Sequence, residues 1–341
     1  MKKFKTLKSA LMLMLCFALV LASFTACGSE GENDVGNNAQ AEDQYASYPE
    51  KPLTLIVPYA AGGESDNISR PIAQYMKNSG YTVTVQNIEG ASGNIGVMEA
   101  YNANPDGYTF MLHMPESMEI YAQSGDLPGN STEMMKMIAN VVMDYGVVSV
   151  APNSEFKTLD DLIAYGKAHP GELRAASTGT MGYNQISAEM FYSALGIEVT
   201  YVPYENAAKA KAAVMGGHAD VLHCYLAGAV TPTKNKEIRP LVIGAEERSD
   251  FLPDVPTFKE LGYDLTWGFH RSFMTTAETP DEIVAKMEEA IKAAFDDPTV
   301  QEAYKGMGFN SYFLSAADLT EELNAQMPAV AQAYQNLAKE K

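Results

Sequence analysis

The stretch that decides the fold is VPYAAGGESDN, residues 57–67. An apolar run, Leu53 to Val57, stops at Pro58. Small residues and two glycines follow, Ala60 to Gly63, and then Glu64, Ser65, Asp66 and Asn67, residue types that favour helix starts. This is a strand, a bare-backbone turn and a helix N-terminus in sequence. A second unit of the same style stands at ELRAASTGTMGYN, residues 172–184. Each such unit exposes backbone N–H groups at the positive end of a helix, an arrangement that suits an anion. Glycine lets a ligand approach the backbone. Neither unit is a P-loop, since GxxxxGK[ST] is absent, and neither is the GxGxxG dinucleotide fingerprint. Pro71 complicates the first helix and predicts that its regular part starts near Ser69 or bends there.

Outward from these turns, apolar strands alternate with amphipathic helical segments. YTVTVQ (81–86), YTFMLHM (108–114), DYGVVSVAP (144–152), EVTYVPY, ADVLHCY and IRPLVIGA read as strands. TLDDLIAYGKAHPG reads as a helix with Thr158 as N-cap and Asp161 closing a capping box. YNQISAEMFYSALG (183–196) puts Ile186, Met190, Phe191 and Leu195 on one face before Gly196. TPDEIVAKMEEAIKAAF and AADLTEELNAQMPAVAQAYQNLAKE are further amphipathic helices. The alternation predicts an α/β fold with mostly parallel sheets, whose ligands gather at the carboxyl ends of strands.

The 341 residues suffice for two domains, and 46% hydrophobic content suits a packed core. The net charge is −19. The first 26 residues hold Lys2, Lys3, Lys5 and Lys8 and no acid, so the remainder carries −23. Such a body repels nucleic acid, and no nucleic-acid partner is expected. An anionic ligand must be held by local donors against the overall field.

MKKFKTLK is basic, ALMLMLCFALVLA is apolar and SFTAC follows, which reads as an export signal over residues 1–26. The apolar run is short for a membrane span. Cys27 after Thr25-Ala26 resembles a bacterial lipobox, with Phe24 where leucine is usual, and is the expected lipidation site. Residues 27–49 are polar and acidic and read as a flexible tether. Of the three cysteines, Cys16 falls in the signal and Cys27 would carry lipid, so Cys224 has no intramolecular partner.

The blocks LTLIVPYAAGGESDNISRPIAQYM, NIEGASGNIG, NPDGYTF, YVPYENAAKAKAAVMGGHADV and FLPDVPTFKELGYD occur in this order. Together they resemble the solute receptors of the tripartite tricarboxylate transporters, the Bug family, over the whole chain from about Lys51. The resemblance implies a type II periplasmic-binding-protein fold, two α/β domains around a ligand cleft. The expected domains are residues 50–148 with 270–341, and 149–269. It also implies a small organic carboxylate held by both turns and delivery to two integral-membrane subunits driven by an ion gradient. The protein would be an extracytoplasmic, lipid-anchored monomer on the outer face of the bacterial membrane. The alternative is a ligand-sensing receptor for a signalling partner.

Carried over by position, the first clamp is Ala61, Gly62 and Gly63 with Asp66, and the second is Thr178, Gly179 and Thr180. Asn94 belongs to the GNIG turn, and Tyr59 and Tyr204 flank the two clamps. Glu205 stands where the family often has a basic or small residue, and TMGYNQ replaces the usual GTPxH style. Asp66 is either a ligand contact or a helix cap. Arg271 either pairs with a ligand's far carboxylate or forms an inter-domain salt bridge. With Arg271 in the first role, dicarboxylates and acidic amino acids rank ahead of sugars, bases or metals. His223 ends its strand as a ligand contact or a packed histidine. Trp267 reads as a hinge or core aromatic. His218-x-Asp220-x-x-His223 straddles a turn and a strand and is not expected to bind metal. G-x-S-x-G and H-E-x-x-H are absent, so no enzyme activity and no cofactor is expected.

Overall fold

The computed structural model describes residues 44–339, and from Ser47 onward the chain forms one compact unit. The expected signal peptide, the expected lipidation site Cys27 and the expected tether up to residue 43 lie outside the described residues. Tyr48 packs onto the folded body: its hydroxyl donates to the Gly107 carbonyl at 2.6 Å, and its ring meets Tyr108 edge-on at 5.1 Å. Among the described residues no helix is long and apolar enough to cross a membrane.

The first half of the chain lays down β1 (Leu53–Val57), α1 (Glu64–Asn78), β2 (Val83–Asn87), α2 (Asn94–Tyr101), β3 (Thr109–His113) and α3 (Pro115–Ser124). A long strand, β4 (Met135–Val150), leads to α4 (Leu159–Ala168), β5 (Leu173–Thr178), α5 (Tyr183–Leu195), β6 (Val199–Tyr204), α6 (Ala207–Met215), β7 (Val221–Tyr225), α7 (Leu226–Lys234) and β8 (Arg239–Ile243). The chain returns through β9 (Gly268–Thr276), α8 (Asp281–Phe295), α9 (Pro298–Met307), β10 (Ser311–Ser315) and α10 (Ala316–Lys339). Thr158 caps α4 and shares a capping box with Asp161, as its spacing predicts.

The strands run in the order β2-β1-β3-β9-β4-β7-β5-β6, with β8 and β10 also on β4. The groups β1–β3 and β5–β7 are parallel, joined by helical crossovers. β4, β8, β9 and β10 pair antiparallel, so the sheet is mixed rather than mostly parallel. The reason lies in β4 and β9. β4 is 16 residues long; its first part pairs with β9 and β10 and its last part with β7 and β8. Every residue of β9 is buried. A strand covered on both faces shows no polar alternation and leaves little period to read.

α1 starts at Glu64, not near Ser69, and runs through Pro71. The bond that Pro71 removes would have ended on the carbonyl of half-buried Asn67. Burial of Ile68, Ile72 and Met76 on the inner face holds the helix across that gap. One apolar core gathers Ile56, Met111, Met137, Met274, Leu319 and Leu323. Another gathers Leu162, Phe191, Tyr192, Val221, Phe258 and Trp267. Trp267 is thus a core aromatic, its ring wedged against Gly146 and its backbone carbonyl against Gly244, where any Cβ would overlap them. The second half of α10 packs on α5 through Val330, Ala333, Leu337 and Ile186, and this cluster includes Tyr183 and Phe269.

Candidate functional site

The first turn is built by the chain on itself. Gly62 sits at φ +79°, a conformation that favours glycine, and Gly63 is the N-cap of α1. The Gly62 N–H donates to Asp66 Oδ2 at 2.7 Å, and Arg70 Nε donates to the same oxygen at 2.7 Å. Asn87 Nδ2 donates to Asp66 Oδ1 and to the Tyr59 carbonyl, both at 3.0 Å. Asp66 is therefore neither the helix cap nor a wall of the cavity. It is a buried staple that fastens the turn to the end of β2. Burial alone would raise its pKa, but Arg70, the Gly62 N–H and Asn87 outweigh that and hold it below the usual carboxylate range.

The second turn consumes more of its donors. The Thr178 N–H donates to Asn184 Oδ1 (2.9 Å), the Gly179 N–H to the Tyr204 carbonyl (2.9 Å) and the Met181 N–H to Gln185 Oε1 (2.8 Å). Gly179 (φ +74°) and Met181 (φ +57°) take left-handed backbone, and Gly182 is the N-cap of α5. What remains at both helix starts is the first turn of N–H groups, which no intrahelical carbonyl reaches. Among the described residues, those of Glu64 and Ser65 on α1 and of Tyr183 and Asn184 on α5 have no partner.

All four of those residues line one cavity of about 670 Å³. This is the size range of small-molecule sites. Of the residues expected at the ligand, Tyr59, Gly63, Thr178, His223 and Arg271 line it. Ala61, Gly62, Asp66, Gly179, Thr180 and Tyr204 lie outside its wall. Asn94 faces a different surface groove, with Ile95 and Met98. The wall also includes Met114, Tyr183, Tyr225 and Phe269, which the sequence reading passed over. Their one signal is position: Met114 follows β3, Tyr225 ends β7, Phe269 stands at the start of β9 and Tyr183 opens α5. Two larger grooves, of about 850 and 890 Å³, touch neither turn.

The charged groups of the wall are tightly engaged. Arg271, 4% exposed, donates from Nη2 to Glu64 Oε2 at 2.6 Å and from Nη1 to Ser65 Oγ at 3.2 Å. Its Nη2 also lies 3.6 Å from Asp144 Oδ2, and its guanidinium stands 4.6 Å over the Phe269 ring. Its Nε has no partner among the described residues. Burial raises the pKa of Asp144, and the nearby Arg271 only partly offsets that. His223 Nε2 lies 2.8 Å from the Tyr192 hydroxyl, while Nδ1 is buried without a partner among the described residues. Burial takes this imidazole down to about 3, so it is neutral. Asp220 pairs with Arg174 at 2.6 Å, away from His223, and no group of three potential metal ligands converges among the described residues.

This arrangement has counterparts. The model of the tripartite tricarboxylate transporter family receptor, TctC, matches residues 68–333. A UPF0065 protein from the TAR-I ttuE-ttuC' intergenic region of Agrobacterium vitis is 32% identical over 275 residues, 79% of this chain and 78% of its own. The crystal structure of a TctC solute-binding protein from Polaromonas superposes with a TM-score of 0.74 at 25% identity, covering 86% of this chain and 100% of that one. R. palustris Rpa4515, solved with adipate, shares the fold with a TM-score of 0.68 at 24% identity, over 84% of this chain and 98% of its own. Proteins of this kind are extracytoplasmic solute-binding receptors and not enzymes. The chain belongs to the tripartite tricarboxylate transporter receptor family.

Proposed function

We propose that this protein is a receptor, lipid-anchored through Cys27, that binds a small organic carboxylate between two lobes. It passes the ligand to the two integral-membrane subunits of a tripartite tricarboxylate-type secondary transporter. The lobes are residues 50–148 with 270–341, and residues 149–269. One observation carries the reading: two helix starts with unpartnered N–H groups open into one cavity. Neutral donors and two helix dipoles suit a carboxylate in a protein whose overall charge of −19 would otherwise repel it.

In this reading the ligand carboxylate is held at the N–H groups of Glu64–Ser65 and of Tyr183–Asn184, with Gly63 beside them on the wall. Tyr59, Thr178, His223 and Arg271 flank it. Ala61, Gly62, Asp66, Gly179, Thr180 and Tyr204 shape the two turns, and Asn94 supports the neighbouring GNIG turn.

A melting-temperature screen against carboxylates, sugars and metal ions tests the reading. A ligand that binds only the folded state stabilises it by about 2.7 kcal/mol at a hundred times its dissociation constant. At least one carboxylate is expected to raise the melting temperature. A panel in which only a sugar or a metal does so refutes the assignment. Cys27→Ala, expressed in the native cell type, is expected to move the protein from the membrane to the soluble fraction.

A further inference from the structure

The receptor reading leaves open which carboxylates the site takes, and the inference here rests on that reading. Among the described residues two cations line the cavity, Arg271 and Lys211. Each is already neutralised. Arg271 is bonded to Glu64 and flanked by Asp144, and Lys211 is paired with Glu237. The histidine of the wall, His223, is uncharged, and burial raises the pKa of the wall tyrosines, Tyr59, Tyr183 and Tyr225, which keeps them neutral. Side-chain charge around the cavity therefore sums to zero or below. The uncompensated positive field is that of the two helix starts. α1 has 15 residues and α5 has 13, each long enough to develop a full macrodipole of roughly half a unit charge at its N-terminus. Two such ends offset about one negative charge. The rest of the wall is largely apolar or aromatic: Tyr59, Met114, Leu222, Tyr225, Phe269 and Ile238.

We propose that the site selects a monocarboxylate with an apolar or aromatic body and discriminates against dicarboxylates and zwitterions. A second carboxylate finds no unpaired cation, and an ammonium finds no unpaired acid. Glu64 sets the selectivity, because its carboxylate holds the guanidinium that a second ligand carboxylate would need. This sets aside one of the two roles the sequence left open for Arg271, recognition of a far carboxylate, and with it the ranking of dicarboxylates and acidic amino acids that followed from that role.

The test uses isothermal titration of the purified protein with matched pairs: hexanoate against adipate, benzoate against terephthalate, and 6-aminohexanoate as the zwitterion. Hexanoate and benzoate are expected to bind at least tenfold more tightly than their partners. Glu64→Gln releases Arg271 and is expected to narrow the hexanoate-to-adipate gap at least tenfold. Glu64 is half-exposed at the helix start, so the variant is expected to melt near wild type. Adipate binding wild type as tightly as hexanoate overturns the inference and leaves the receptor reading standing. A gap unchanged in a folded Glu64→Gln protein overturns the role of Glu64. Failure of every carboxylate to bind overturns the receptor reading itself and the inference with it.

Discussion

Glu116→Gln is expected to cut the stability of the fold in a pH-dependent way. His270, on β9, is fully buried; its Nδ1 lies 2.6 Å from Glu116 Oε1 and its Nε2 3.2 Å from Glu322 Oε1. The His270 backbone N–H donates to the same Glu116 oxygen at 3.1 Å. Burial by itself would lower the imidazole pKa, but Glu116 and then Glu322 outweigh it and raise the value from 6.5 to about 9. A group whose folded pKa lies above its unfolded one stabilises the fold fully below the unfolded value. That contribution is lost as the pH rises through the folded value. The window is thus pH 6.5 to about 9, and the gap corresponds to about 3 kcal/mol at about 1.4 kcal/mol per pH unit. Glutamine keeps the shape and removes the charge. Urea denaturation of both proteins from about pH 6 to 9.5 measures the difference, with unchanged m-values as the check on two-state behaviour. Because Glu322 stays beside His270 in the variant, the difference is expected to be up to about 3 kcal/mol at the acid end and to shrink steeply toward the alkaline end. Titration of Asp144 is common to both proteins and largely cancels. A difference that does not vary with pH would refute the reasoning, because a lost hydrogen bond alone has no such slope.

Two further substitutions test the scaffold of the site. Gly146→Ala places a Cβ into the ring of Trp267, the chain's single tryptophan. A loss of about 2–3 kcal/mol is expected from overpacking, with a shift in tryptophan emission; unchanged emission and melting would show that the ring is loosely held. Asp66→Asn removes the charged acceptor shared by Gly62 and Arg70 and is expected to cost about 2 kcal/mol at neutral pH. Because the folded pKa of Asp66 lies below 3.8, that contribution is present above 3.8 and lost as pH falls through the folded value. Stability curves of wild type and variant that stay parallel into acid would contradict the staple.

The turn at residues 57–67 was legible because its signals are local. A strand, a proline, two glycines and a run of helix-starting residues fix β1, the turn and α1 within one short window. What Asp66 does was not legible, because two of its partners are set by the fold: Asn87 comes from β2 and the Gly62 N–H points at it only once the turn closes. The second turn makes the same point more sharply. TGTMG looks like a presenter of N–H groups, yet Asn184, Tyr204 and Gln185 occupy those of Thr178, Gly179 and Met181. A glycine-rich turn reads alike whether it offers its donors or spends them internally.

The charged centre was the least legible part, for a related reason. Arg271, His270 and Asp144 lie on β9 and β4, strands covered on both faces that carry little hydrophobic period. Their partners, Glu64 and Glu116, sit in the first turns of α1 and α3, brought there by strand pairing that joins distant stretches of chain. An arginine in a cleft invites an anion when read alone. Read with the acids that the fold sets against it, its charge is already paired. The groups left able to hold a ligand carboxylate are then those the chain cannot satisfy for itself: the first N–H groups of two helices. Their strength comes from backbone geometry that side-chain chemistry does not reveal. It follows that charge at this site is set as much by the acids of the wall as by its cations.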